Sequence, residues 1–324
     1  MYSGTALKKM VDRSSFIAAL EDPFSSALIS LPKSDLHSHA GRACRLSFIN
    51  SLYGTDIAPP RLPFISLSEM DGWVHDLDET LRKKSSLNRY LACISGAFVA
   101  AKEDNITILA LNFGMGEMTA FGGVNVLKDI VSGLKERIFN ECRLFPVVSI
   151  YDNLHLGRLD ELIESGWVSG IDFINYGDRL SLKEMKHISR YVKGHGMKVK
   201  AHVGEFDSAD AVARYIDELE PDEIQHGIQA AFSDVLLKRI AECKIRMNIC
   251  PCSNISLGLF RNYESFPIKK LLDCNVKVAL GTDDLLVFGA TISDEFRNLY
   301  LKKSLSAEEL YSIYLNGMDY CLRH

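Results

Sequence analysis

Eight short apolar runs, separated by stretches of helical periodicity, constrain the fold of this chain more than any other feature. They are SDLHSH (34–39), ITILALNF (106–113), LFPVVSIY (144–151), VSGIDFIN (168–175), KVKAHVGE (198–205), EIQHG (223–227), IRMNICP (245–251) and KVALGTDD (277–284). Most are continuously apolar or β-branched rather than alternating, the pattern of parallel strands covered on both faces. Between them, LKDIVSGLKERIFNEC (127–142), SLKEMKHISRYVKGHG (181–196) and DVLLKRIAECK (234–244) carry apolar residues at helical spacing with charges opposite. In KGHGMKVKAH the glycines end a helix just before a strand. Eight such alternations in 324 residues predict an α/β fold, a (β/α)8 TIM barrel. Residues 44–90 break the rhythm: they contain APPRLPF and a helix expected near 67–84, a helical insertion after the first strand. Connections of that length act as lids or are disordered inserts. No internal repeat, low-complexity tract or linker interrupts the chain, so residues 1–324 read as a single domain.

The formal net charge is -5 and no block of like charges stands out, which removes the electrostatic case for nucleic acid or a membrane surface as partner. A small-molecule ligand is the better expectation. Apolar runs are short and broken by charge, so neither a signal peptide nor a membrane span is expected. The eight cysteines form no CxxC pair and lie mostly in apolar segments, as reduced thiols of a cytoplasmic protein do.

Polar residues gather where these strands end. His37 and His39 close the first run, His202 and Glu205 the fifth, His226 the sixth, and Asp283 with Asp284 the eighth. In a barrel those C-terminal ends converge on one mouth, where active sites of this architecture sit. His37 and His39 are two apart, so both imidazoles point to the same face of a strand. A lone inward histidine is usually a satisfied core residue, but two side by side call for a cation that draws on both lone pairs. His202 and Asp283 add a third nitrogen and an oxygen. Three histidines and one aspartate suit Zn²⁺ with a position left for water; ligand type alone leaves Fe²⁺, Mn²⁺ and Co²⁺ open.

The motifs LPKSDLHSH, HVGE (202–205), QHG (225–227), CPCSN (250–254) and GTDDLLVFG (281–289) resemble, in order and over residues 31–289, those of the adenosine deaminase branch of the metal-dependent amidohydrolases. The resemblance implies that His37, His39, His202 and Asp283 hold one zinc ion. It implies that Glu205 protonates the purine ring at N1, that His226 orients or deprotonates the attacking water, and that Asp284 partners the attacking hydroxide and the purine. These residue types suit the roles. A metal-bound water ionises near neutral pH, and a glutamate in a dry pocket has the raised pKa a ring-protonating acid needs. The expected reaction is hydrolytic deamination of a 6-aminopurine nucleoside, adenosine or a related nucleoside or nucleotide, with release of ammonia. The other zinc deaminase design, HxE with PCxxC, is absent.

Resemblance thins around the substrate. Relatives continue HxH with a hydrophobic residue, an acid and a glycine; here Ala40, Gly41 and Arg42 follow, and the acid is missing. The pattern GxDLxGDE survives only loosely as GIDFINYGDRL (170–180), where Gly177 stands for the glycine that meets the purine edge. Arg42 is either a turn residue in solvent or, pointing inward, a planar donor for a phosphate or carboxylate. Two other readings stay open: an amidohydrolase acting on another amino-heterocycle or C–N bond, for which Glu205 is the discriminating residue, and a catalytically silent nucleoside-binding protein. Cys250 and Cys252 read as packing residues. His75, His155, His187, His195 and His324 read as solvent-facing or structural.

Overall fold

The computed structural model describes residues 10–22, 24, 26–81, 86–152, 156–174, 176 and 179–322. Eight parallel strands pair in chain order: β1 (Lys33–His39), β2 (Ile106–Gly114), β3 (Arg143–Ile150), β4 (Gly170–Phe173), β5 (Lys198–Val203), β6 (Glu223–His226), β7 (Arg246–Ile249) and β8 (Lys277–Leu280). Beyond β8 the ring is drawn together by a bridge between Ser38 and Asp283, with Asp283 N–H donating to His37 C=O at 2.8 Å and His39 N–H to Asp283 C=O at 3.1 Å. The fold is a (β/α)8 TIM barrel, as the eight runs predict.

Strands are buried along nearly their whole length; β2 has eight consecutive buried positions, Ile106 to Phe113, which is why its run is apolar without alternation. Helices cover the outside with one apolar stripe each. In Leu182–Gly194, for example, Met185, Ile188 and Val192 face the sheet, and Ser181 with Glu184 forms a capping box that fixes where the helix starts.

Several strands are shorter than their apolar runs. β5 stops at Val203 because Gly204 turns into the left-handed region (φ 73°), where a Cβ would lie 2.4 Å from Val212. β7 stops at Ile249 because Pro251 opens the helix Pro251–Ser256. β8 stops at Leu280 as Gly281 passes so close to His37 that a Cβ would meet its carbonyl oxygen at 2.7 Å. Glu205, Asp283 and Asp284 therefore stand just beyond their strands rather than on them.

The insertion after β1 forms the helices Leu46–Tyr53 and Leu67–Leu81. The second ends at Leu81, short of the expected residue 84, and residues 82–85 lie outside the described ones. Phe64 and Met70 pack with Leu257, Val287 and Phe288, while Leu77 and Leu81 pack with Cys44, Ile49, Cys93 and Leu286. The insertion thus has its own apolar contacts across the loops that follow β7 and β8.

Candidate active site

Ligand nitrogens of His37, His39 and His202 fall within 4.8 Å of one another at the mouth, and Asp283 joins them. His37 Nε2 is 3.1 Å from His202 Nε2 and 3.4 Å from Asp283 Oδ1; His39 Nε2 is 3.2 Å from the same oxygen. Four donors about 2.1 Å from a tetrahedral cation stand roughly 3.4 Å apart, so these spacings suit one small divalent ion. Proton bookkeeping agrees. His202 Nδ1 lies 3.0 Å from Asp172 Oδ1, which assigns its proton to Nδ1 and leaves Nε2 as a lone pair aimed at His37. Burial pushes the His37 imidazole well below its ordinary value, so it is neutral, and its buried Nδ1 has no hydrogen-bond partner. A proton on His37 Nε2 satisfies one neighbour; a divalent cation satisfies all four donors. Burial alone would raise Asp283, but hydrogen bonds from His37 and His39 hold its carboxyl well below the usual range.

Behind these donors lies a layer of residues that positions them. Asp172, at the buried end of β4, accepts from Asn112 Nδ2 at 2.6 Å and Gln225 Nε2 at 3.2 Å as well as from His202. Burial works against its charge, yet His202 pulls its carboxyl far below the ordinary value. Ser253 Oγ donates to Asp283 Oδ2 at 2.6 Å. Such outer contacts fix the tautomer and the direction of a ligand. Two site residues carry backbone strain: His226 and Asp283 have φ of 58° and 57°, conformations that cost non-glycine residues about 1–3 kcal/mol each and cluster at functional sites.

Glu205 is buried (3 % exposed) three residues after His202. Asn254 Nδ2 donates to its Oε1 at 2.9 Å, Tyr176 OH to its Oε2 at 2.6 Å, and His226 Nδ1 is 3.4 Å from Oε1. Burial raises its pKa, the His226 charge opposing. His226 Nε2 is 4.0 Å from Asp283 Oδ2, which sets the imidazole between the acid and the donor cluster. Asp284 is also raised by burial; Arg42 NH1 binds its Oδ2 at 2.9 Å, and its Oδ1 is buried without a partner.

Most of the chemically active groups, with Arg42, border one cavity of about 260 Å³. His39, His202, His226, Glu205, Asp283 and Asp284 form its floor. Its upper walls are Leu67, Met70 and Asp71 from the insertion, Ile174 and Tyr176 after β4, and Phe206, Leu257 and Phe288. The first helix of the insertion leaves the cavity untouched, whereas the second roofs it.

The arrangement thus brings together His37, His39, His202, Asp283, Glu205, His226 and Asp284. Arg42 lies in the turn after β1 and borders the cavity. Gly177 lies outside the described residues, as do His155 and His324. His75, His187 and His195 are exposed. Cys250 is fully buried; its sulfur lies within 4.8 Å of ligand nitrogens of His37 and His226, but burial holds the thiol well above its ordinary pKa and it stays protonated. Sequence reasoning missed Asp172, Asn112, Gln225, Ser253 and Tyr176. Asp172 gave a signal, an acid inside an otherwise apolar run; Tyr176 gave none.

A buried cluster of donors for one divalent ion, beside a buried carboxyl whose proton affinity burial raises, at the mouth of a (β/α)8 barrel, is the constellation of a hydrolase acting on C–N bonds. Comparisons with known proteins agree. The family model described as "Adenosine deaminase" matches residues 165–322. A "Putative adenosine/adenine deaminase" of Treponema pallidum (strain Nichols) is 29% identical over 304 residues, 88% of this chain and 97% of that one. Among solved structures, an amidohydrolase from Burkhoderia ambifaria with bound Zn superposes with a TM-score of 0.71 at 19% identity, covering 98% of this chain and 88% of the other. The N6-methyl-AMP deaminase of Arabidopsis thaliana gives 0.67 at 19% identity, with 89% and 90% covered. The chain is thus similar to adenosine deaminases, over its C-terminal half by the family model and over most of its length by the Treponema relative. It is an aminohydrolase-type enzyme. Among the described residues no helix is long and apolar enough to cross a membrane.

Proposed function

We propose that residues 1–324 act as one hydrolase domain that removes ammonia from a 6-aminopurine nucleoside, adenosine or a related nucleoside or nucleotide, with one Zn²⁺ held by His37, His39, His202 and Asp283. The observation that carries this reading is Glu205: a buried carboxyl beside the metal-donor cluster, with its proton affinity raised by burial. Opening a C–N bond to an aromatic ring requires a proton at the ring nitrogen as negative charge builds there, and few other hydrolytic reactions need an acid in that place. A cation at the four donors supplies Lewis-acid activation of the attacking water.

The remaining work falls to side chains. Glu205 gives its proton to N1 as water adds at C6. His226, held by Asn254 Nδ2 at 3.2 Å and by Glu205, takes or steers the proton that water sheds. Asp284 accepts a hydrogen bond from the attacking hydroxyl through its free Oδ1. The proton from water reaches the exocyclic amine, the C6–N bond breaks and ammonia leaves, and as the 6-oxo group forms the hydroxyl proton passes to the carboxylates and restores the one Glu205 gave. Leu67, Met70, Leu257 and Phe288 keep bulk water off the ring. None of the seven described cysteines is in a disulfide, which supports a cytoplasmic setting.

The test is turnover of adenosine, adenine and adenosine 5′-monophosphate by zinc-replete protein, followed as ammonia release and as the ultraviolet change from 6-amino- to 6-oxopurine. Deamination of at least one is expected. Zinc-loaded, folded protein that turns over none of them would overturn the reading.

A further inference from the structure

Arg42 is an expensive residue to place where it stands. The turn that carries it is pinned twice: Arg42 N–H donates to His39 C=O at 2.8 Å, and Leu286 N–H donates to Arg42 C=O at 2.9 Å. That ties the loop after β1 to the loop after β8 and fixes the guanidinium on the cavity wall. Its side chain keeps 29 % of its surface open, towards the cavity. Five N–H donors are available in a planar fork. One contact uses them among the described residues, NH1 to Asp284 Oδ2 at 2.9 Å. Had orienting Asp284 been the whole task, a neutral donor would serve without bringing a permanent charge to the edge of a metal site.

The surroundings agree. On the opposite side of the mouth Arg179 borders the same cavity and has no ion pair among the described residues. Against these two cations, among the described residues that line the cavity, the upper wall holds one acid, Asp71, while Glu205, Asp283 and Asp284 lie on the floor. The chain as a whole carries a net charge of -5, so two arginines bordering one cavity are not its average surface. A concave, low-dielectric rim focuses such a field onto an incoming anion. In an eight-stranded ring β1 and β5 are diametrically opposed, so Arg42 stands across the mouth from Glu205. A ring that offers a nitrogen to Glu205 directs its opposite end towards Arg42.

We infer that the substrate is an amino-heterocycle bearing an oxyanion, carboxylate or phosphate, on the end remote from the protonated ring nitrogen, and that Arg42 binds this group while one arm of its fork stays on Asp284. This rests on the deaminase reading and narrows it. The probes are matched pairs offered to the zinc-replete enzyme: adenosine against adenosine 5′-monophosphate for phosphate, and 9-ethyladenine against 9-(carboxymethyl)adenine for carboxylate. In at least one pair the anionic member is expected to react with a kcat/KM at least tenfold above its neutral partner. The pair that does so identifies which oxyanion is read. Arg42→Gln should lower that ratio at least tenfold, and Arg42→Lys should retain part of it. The ratio is independent of the fraction of active enzyme, so a poorly folding variant does not mimic the result. A ratio below ten in both pairs, or one that Arg42→Gln leaves unchanged, overturns the inference while adenosine turnover leaves the deaminase reading standing. If no aminopurine reacts at all, the deaminase reading falls and takes this inference with it.

Discussion

The two ends of the barrel bury charge in opposite ways. At the N-terminal end Lys200 and Glu223, both almost fully buried, lie 3.1 Å apart; Arg246 NH1 is 3.9 Å from the other oxygen of Glu223, and Asn248 donates to Glu223 at 2.7 Å. Lys33 faces Asp104 at 3.7 Å and donates to three backbone carbonyls. Each acid there has a cation from the chain itself. At the C-terminal end three imidazoles and Asp283 converge with no such cation among them. The lesson concerns charge: buried acids paired with cations of their own chain serve stability, whereas convergent metal-type donors with no cation among them are built for one the chain lacks.

That contrast breaks first at Glu205. Glu205→Gln should cut kcat by about 10²–10⁴-fold, the usual contribution of a positioned acid, with zinc content and unfolding temperature close to those of the parent. Near-parental activity would mean that a bond other than an aromatic C–N is cleaved. The matching change at the other end is Glu223→Gln, which strands Lys200 and Arg246 as buried cations. It should cost about 3–5 kcal/mol in urea unfolding while the surviving folded protein keeps its zinc affinity. If both variants lost stability equally, the two ends would not differ in purpose.

Asp172→Asn sharpens the comparison by touching a self-satisfied acid on the functional side. It removes the charged acceptor of His202 Nδ1, and zinc affinity by competitive chelation should fall about 10–100-fold. The last prediction is a pH slope. Glu223 lies below its ordinary value: burial would raise it, but Lys200 and Arg246 prevail. Its contribution is therefore present above the unfolded pKa and is lost as pH falls through the folded one. Glu295 accepts from Cys252 N–H at 2.7 Å and Tyr263 OH at 2.9 Å, and burial pushes it from 4.5 up to about 8. Folded protein then keeps a proton that the unfolded chain releases, so stability falls as pH rises from about 4.5 to 8, by up to about 1.4 kcal/mol per unit. Glu295→Gln should remove that share of the slope in unfolding curves taken across this window; an unchanged slope would show the carboxyl ionised in the fold.

Much of this was legible before any coordinates. The apolar runs located all eight strands, because strands buried on both faces have no polar alternation to obscure them. HxH with His202 and Asp283 gave the donor set, since period-two geometry and barrel convergence follow from element type. What stayed illegible depended on long-range packing. Glu205 and Asp283 sit past their strands because Gly204 and Gly281 leave the ladder, and an apolar run does not mark where pairing stops. Asp172, Asn112 and Gln225 come from three strands, and nothing local links them.

The sequence by itself therefore determined the barrel and the donor types that gather at its mouth, because periodicity and donor type are local properties of the chain. Only the tertiary structure decided that Arg42 turns inward onto Asp284, that the helix Leu67–Leu81 roofs the cavity, and that Tyr176 reaches Glu205. Those contacts join residues far apart in the chain, and their directions are set by how separate loops pack over one mouth.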